Sequence, residues 1–472
     1  MIRQIVYKEV LENLLSLRFV LAVLLTVSLF AICGYVFVNG YGEQSKDFWK
    51  KTNENLSALR EETDQLYKVA FFKQGIYRKP KPLGLCAEGF EQSLPNLFKV
   101  NAFTAELPAT KGQANFALPH FSHVDWVLII SLIMSFAALV LTYDNICGEK
   151  EDGTLRQTMA NTISRHKVLT GKYAGAMITL AIPLIMGMLV SLIIVISSGG
   201  VVIGGGEWLK ILMLALVSLL YLSVFVLLGI FVSSRTSHPA NAMAILLFLW
   251  VVTVILVPSF SRIIFDVVYE EPTEQELQRR LDEAREEIWN NHDRYGRNAG
   301  SMSNNLSDPI NNPPARARLQ NATMDATNQL QQEHHNRCFQ QALARRNFAS
   351  LSPAVIYQRA CEAIAGTGIN RCAELYEQVG RYGADLKEFI RSRDSEDPVS
   401  LHLIGPERNM AYSWRAISHN PVDFDIIPKF RERPITLRQS LKLAVWDIGL
   451  LALINLCLFA AAFVSFLKYD VR

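Results

Sequence analysis

Few residues in this sequence have the types and spacing of a reaction centre. Glu333-His334-His335-x-x-Cys338 sets His334 and Cys338 four apart, on one helix face, with donors that suit zinc or copper. A genuine site takes three or four ligands, so the two histidines read as solvent-facing residues of a polar helix, and no metal is assigned. The glycine run Gly199 to Gly206 has no preceding strand and no Lys-Ser/Thr, and reads as a turn. No Gly-x-x-x-x-Gly-Lys-Ser/Thr phosphate loop occurs anywhere. The expectation is therefore no catalytic residue and no cofactor in this chain. Ionisable groups in apolar surroundings are functional suspects, but only two stand out. Asp144 lies at the end of one apolar run. Asp447 lies two turns into another, either paired with Lys442 or Arg262 or as an interfacial carboxylate. Such a sparse set gives no support to a proton- or sodium-driven carrier.

The densest charge sits in Gly148–Lys172, GEKEDGTLRQTMANTISRHKVLTGK, between two long apolar runs. Glu149, Glu151 and Asp152 place negative charge at a helix start, where the macrodipole favours it. Gly153 interrupts the regularity, and Thr154 can cap the following turn. A rigid, exposed, charged segment of this kind can dock a partner.

The elements that must position it are apolar. Half of the 472 residues are hydrophobic and 19% are charged, with a formal net charge of +3, too small to argue for nucleic acid. The apolar residues cluster in runs of about 20, enough to cross a hydrocarbon core of roughly 30 Å. We assign a mainly α, polytopic membrane protein with six spans: 19–38, 124–143, 173–196, 208–231, 240–264 and 441–467. Residues 1–18 form an amphipathic interfacial helix, with Ile2, Ile5, Val6, Val10 and Leu14 at helical spacing. Arg3, Lys8 and Arg18 put the N-terminus in the cytoplasm, and an even number of spans brings the C-terminus there too. Residues 40–123 and 265–436 then lie outside, and 144–172 is the main inner segment.

The second outer region is patterned as helices over Glu274–Tyr295, Ala315–Phe348, Pro353–Ala365 and Arg371–Arg393. In the first, a helix fits Lys46–Lys68, and the remainder looks irregular. Cys86, Cys338, Cys361 and Cys372 fall outside the spans and allow three pairings. Cys361 with Cys372 is the first choice, because Gly366-Thr-Gly368 can fold one helix back on the next.

Placed between the second and third spans, Glu149-Lys-Glu-Asp-Gly-Thr-Leu-Arg156, Ile163-Ser-Arg165 and Gly171-Lys172 resemble the permease subunits of type-two class ABC exporters (ABC-2-like). The chain is most similar to those with a large helical extracytoplasmic domain before the last span; Leu351-Ser-Pro-Ala354 and Phe466-Leu-Lys-Tyr-Asp-Val-Arg472 carry that part of the likeness. The resemblance implies a coupling helix seated in a groove of a separate ATPase, with Glu149, Glu151, Gly153, Thr154, Leu155, Arg165 and Lys172 in the coupling segment. Ser233–Pro239, with Arg235 and His238, is the implied second cytoplasmic contact. It further implies ATP and magnesium on the partner, a second permease copy or homologue, and a bacterial inner-membrane location. Thr162-Ile-Ser-Arg165 departs from the family's frequent Pro-Val-Ser-Arg.

Two functions follow from that expectation. One is export or extraction of a substrate. The other is mechanical transmission, in which ATP hydrolysis on one side moves the outer domain against a periplasmic protein or a lipid.

Overall fold

The computed structural model describes residues 2–91, 94–106, 124–154, 164–260, 264, 273–291, 313–402 and 416–468. Helix α1 (Ile2–Leu14) leads through Ser16 into α2 (Leu17–Glu61), whose first turn is capped by the Ser16 hydroxyl accepting from the Phe19 amide. The sequence pattern separates a span at 19–38 from a helix at 46–68, whereas α2 is one continuous helix of 45 residues. No proline interrupts it, and beyond the apolar stretch pairs such as Asp47–Lys51 (2.7 Å) support its exposed surface. The short α3 (Leu66–Phe71) follows.

Strands β1 (Gln74–Tyr77), β2 (Leu97–Val100) and β3 (Ala105–Glu106) form an antiparallel meander in the stretch read as irregular. Its register pairs Gln74 with Val100 and Lys99 with Glu106. The inward residues Ile76, Phe98 and Val100 pack against Leu375, Tyr376 and Val379 from the second loop region. The two large loops thus share one core.

Among the described residues, six helices are long and apolar enough to cross a membrane. They are α2, α4 (Trp126–Glu151), α5 (Arg165–Ser197), α6 (Gly205–Ser233), α7 (Pro239–Phe260) and α12 (Leu437–Leu467). Six spans in series put α1 and the end of α12 on one side, and the two large loops on the other. Lipid supplies no hydrophobic force between spans, so packing and hydrogen bonds hold them, at roughly 0.6 kcal/mol per side-chain bond. The Trp126 indole donates to Ser191 Oγ (3.1 Å), the Trp250 indole to Ser135 Oγ (2.8 Å), and the Asn455 amide to the Leu220 carbonyl (3.0 Å). Two π-helical stretches, Ile129–Met134 in α4 and Val251–Leu256 in α7, leave carbonyls for other partners. The Tyr221 hydroxyl donates to Ser131 O (3.0 Å), and Ser352 Oγ donates to Thr253 O (2.6 Å).

The loop side carries α8 (Glu274–Asn290), α9 (Pro313–Phe348), α10 (Pro353–Ala365) and α11 (Ile369–Ser395). Helices α8 and α9 pack on each other. By its pattern α10 belongs with them, but it is inserted into the bundle. Ile356, Tyr357, Ala360, Cys361 and Ile364 lie in the same apolar cluster as Trp126, Tyr221 and Leu451. Tyr357 stacks on Tyr221 (4.5 Å between centroids), and its hydroxyl lies 2.7 Å from Ser218 Oγ. Gly366, at φ +75°, ends the helix, and α11 leaves for the loop-side core.

None of the seven cysteines is joined in a disulfide. The Cys361–Cys372 bridge is therefore absent. The Gly366-Thr-Gly368 turn does redirect the chain, but it delivers the two thiols into different cores: Cys361 among the spans, and Cys372 beside Phe98 and Tyr376. Burial pushes the Cys372 thiol up to about 12.

Candidate coupling site

The end of α4 is fastened before the chain reaches the surface. Ser233 Oγ, at the end of α6, accepts from the amides of Ile146 (3.0 Å) and Cys147 (3.1 Å). Those amides open a short helical turn, Cys147–Glu151, so a neighbouring span supplies its cap. Next to it, Ser234 Oγ meets Ser465 Oγ of α12 at 2.7 Å. On the other flank Arg165 donates to the carbonyls of Phe466 (3.0 Å) and Leu467 (2.5 Å), satisfying the C-terminus of α12.

Charge does the rest. Lys172 Nζ lies 2.7 Å from Glu9 Oε1 and 3.0 Å from Glu149 Oε1, and Lys8 Nζ lies 3.1 Å from the same Glu149 oxygen. The result is an alternating chain, Lys8–Glu149–Lys172–Glu9, in which Lys172 and Glu9 are only 3% and 7% exposed. Burial works against the Lys8 charge, but Glu149 outweighs it and holds this ammonium above the usual lysine range. Close approach makes the arrangement possible. A side chain at Gly171 would lie 2.7 Å from Ile5, and one at Gly175 would lie 2.6 Å from Glu9, so α1 rests directly on α5. Helix α1 consequently turns Glu9 inward and leaves Ile2, Tyr7 and Leu11 exposed. Arg18 adds a parallel tie to Asp144 (2.7 Å).

The candidate residues therefore divide. Glu149, Arg165 and Lys172 point inward and fasten the segment to α1, α5 and α12. Glu151, Asp152, Gly153 and Thr154 are exposed, with Gly153 in the left-handed region at φ +73° and Thr154 Oγ1 reaching back to Glu149 O (3.2 Å). His238 Nδ1 stands 3.9 Å from Glu151 Oε2, and Arg235 is also exposed, so the two inner-segment sites meet at one surface. Leu155 lies outside the described residues. Glu9 is the residue that the helical pattern missed. Its signal was Gly171-x-x-x-Gly175 enclosing Lys172: a close-packed seam with one cation in it needs an anion opposite.

Elsewhere, Cys338 Sγ and His334 Nε2 are 3.6 Å apart, and no group of three candidate metal ligands occurs among the described residues. His334 is buried, not solvent-facing as its polar helix suggested, and His335 packs on Tyr376 at 5.1 Å. Asp447 does not pair with Lys442, and Arg262 lies outside the described residues. Asp447 is 4% exposed and stands 3.2 Å from Arg359 of α10. The sequence could not supply that partner, because α10 reads as loop-domain surface.

Comparison with known proteins adds the family. Residues 3–471 match the family model described as ABC-2 family transporter protein. A probable ABC transporter permease protein NosY of Pseudomonas aeruginosa is 28% identical over 154 residues, 31% of this chain and 54% of that protein. The Stutzerimonas stutzeri protein of the same name is 32% identical over 79 residues, 17% of this chain and 29% of its own length. The chain thus spans about half of one curated relative and under a third of the other. With six apolar helices and a family match over nearly its full length, the chain belongs to the ABC-2 transporter family as a multi-pass, permease-type membrane subunit of an ABC transporter.

Proposed function

We propose that a separate ABC ATPase drives this chain by seating on the exposed Glu151–Thr154 tip and the adjoining Arg235–His238 loop. Magnesium and ATP sit on that partner. The membrane is the bacterial inner membrane with both termini cytoplasmic, and a second permease copy or homologue packs on the sparsely buried faces of α2 and α7. The work done is export or extraction of a substrate. One observation carries this reading: an exposed acidic tip is backed by a buried ion chain that reaches α1 and α5 at once. Force on such a tip is passed to the spans rather than absorbed by a loose loop.

Glu151→Arg tests it. The variant should lose copurification of the ATPase and lower the complex's ATP hydrolysis at least tenfold, with the permease still folded. Unchanged hydrolysis and unchanged copurification would sink the reading.

The mechanical alternative has its own support. Helix α2 joins the Arg18–Asp144 contact on one side to Leu59 in the loop-side core on the other, and α10 is wedged among the spans. Removing residues 275–340 takes away most of the α8–α9 pair and leaves α10 in place. Continued transport of a candidate cargo by that variant favours export; loss of all function with ATP hydrolysis intact favours transmission.

A further inference from the structure

The cluster around Asp447 does not belong to the coupling site, and nothing above uses it. A cavity of about 70 Å³ lies where the base of α9, the end of α10 and the top of α12 meet. Arg346, Arg359, Glu362 and Asp447 line it, with Leu343 and Leu443 as apolar wall. Arg346 pairs with Glu362, and Arg359 with Asp447. Arg371 also lines the cavity but is engaged by Glu91 and Glu432, so the two remaining cations and two anions leave it neutral overall and zwitterionic in detail.

Three observations give it a ligand. First, its depth: Trp446, beside Asp447 in the chain, is 80% exposed on α12, where an indole settles at the headgroup level of a bilayer. Second, its opening: Leu443 both lines the cavity and is 40% exposed, so the cavity borders the lipid-facing surface of a span. Leu450 and Leu453 continue that exposed stripe at helical spacing, a lane for an acyl chain. Third, an unfilled acceptor: Asp447 Oδ1 is buried and accepts no aligned hydrogen bond, although Arg359 Nη2 stands 3.2 Å away. A buried carboxylate oxygen without an aligned donor is costly, and a primary ammonium supplies three N–H donors.

We propose that this cavity binds the headgroup of a phospholipid carrying a primary ammonium. Asp447 Oδ1 accepts from the ammonium, and the guanidinium groups of Arg359 and Arg346 face the phosphate. Their planar forks suit phosphate oxygens. A quaternary ammonium has no N–H to give, and a glycerol headgroup has no cation, so both are disfavoured. The proposal needs only that α12 crosses a bilayer; it does not depend on where the ATPase docks or in which direction cargo moves.

The test is native mass spectrometry of the full chain, purified in detergent and stripped of lipid. Phosphatidylethanolamine should bind at least tenfold more tightly than phosphatidylcholine or phosphatidylglycerol. Asp447→Asn should erase that preference. Leu443→Trp, which closes the mouth and leaves every charge in place, should weaken phosphatidylethanolamine binding tenfold and serves if the first variant fails to fold. Equal binding of the three lipids to the natural chain would overturn the site, as would a folded variant that keeps the full preference. Displacement of the lipid by millimolar phosphoethanolamine, and not by inorganic phosphate alone, would assign the site to a soluble ligand and overturn the lipid.

Discussion

Two buried ionic clusters flank the spans, and they are built for different work. On the terminus side, Lys8, Glu149, Lys172 and Glu9 form a line. Both of its ends, Lys8 and Glu9, sit on α1, and its middle member Glu149 lies two residues from the exposed Glu151–Thr154 tip. On the loop side, Arg371 reaches Glu91, Glu432 and the Lys79 carbonyl, while Arg78 holds Glu91 and Lys81 holds Glu432. That cluster, Arg78–Glu91–Arg371–Glu432–Lys81, ties the β-meander segment, α11 and the stretch after residue 427 together, and it leads to no exposed tip. A cluster joined to an exposed tip transmits displacement, whereas one joined only to a shared core resists it. The loop-side cluster is a clamp that makes two sequence-distant loops one body.

The comparison can be broken most forcefully at Lys172. Lys172→Met leaves two buried carboxylates without their shared cation and should cost about 4 kcal/mol. The thermal midpoint in detergent reads this, and adding Glu9→Gln and Glu149→Gln should recover much of the loss. Additive losses instead of recovery would mean that the line is not a line. Arg371→Met should cost about 3 kcal/mol by the same logic, but ATP hydrolysis in the surviving folded complex should stay near the natural rate. A matching fall in hydrolysis would erase the distinction between joint and clamp.

Smaller effects sharpen it. Gly175→Leu overpacks the α1–α5 seam and should cost about 1–3 kcal/mol, with hydrolysis falling more than stability does.

The two clusters should also part with pH. Burial opposes the Glu432 charge, but Arg371 and Lys81 outweigh it and hold this carboxyl below the usual range. A lowered folded pKa adds stability above the unfolded value of about 4.3, lost as pH falls below it. Lys8, held above its usual range, adds stability that is full below about 10.4 and is lost only as pH rises past it. Limited proteolysis between about pH 5 and pH 3 should therefore open the loop-side body sooner in the natural chain than in Glu432→Gln relative to each variant's own neutral state. The smallest expected effect is on the stability of Glu151→Arg, within about 0.5 kcal/mol, since nothing buried changes.

How much of this was legible in the sequence follows from which physics each feature obeys. The spans announce themselves, because lipid demands long apolar runs without breaks. The charged segment stood out because its surroundings are apolar. What escaped were features set by non-local partners. Helix α10 carries Arg359 and Glu362 among its apolar residues and so reads as amphipathic surface; only with Asp447 and Arg346 in place is its burial paid for. Glu9 looked like a charge on the wet face of α1, and only the glycines of α5 reveal that this face is covered. The β-meander is too short for a strong alternating pattern, and its inward residues find their cover some 270 residues later in the chain, on α11. Helix α2 was cut short because hydropathy marks where lipid ends, not where a helix does.

That last helix has a mechanical meaning. Helices α2 and α5 meet at close quarters around Gly34, where a side chain would lie 3.0 Å from Ser191 Oγ, and at Gly187, where one would lie 2.6 Å from Phe30; Gly34 is taken as the fulcrum. Measured from that fulcrum at 1.5 Å per residue, the arm to Arg18 is roughly 24 Å and the arm to Leu59 roughly 38 Å. If α2 rocks there as a stiff lever, an ångström of travel at the Arg18–Asp144 contact becomes about 1.6 Å, in the opposite direction, at the loop-side core.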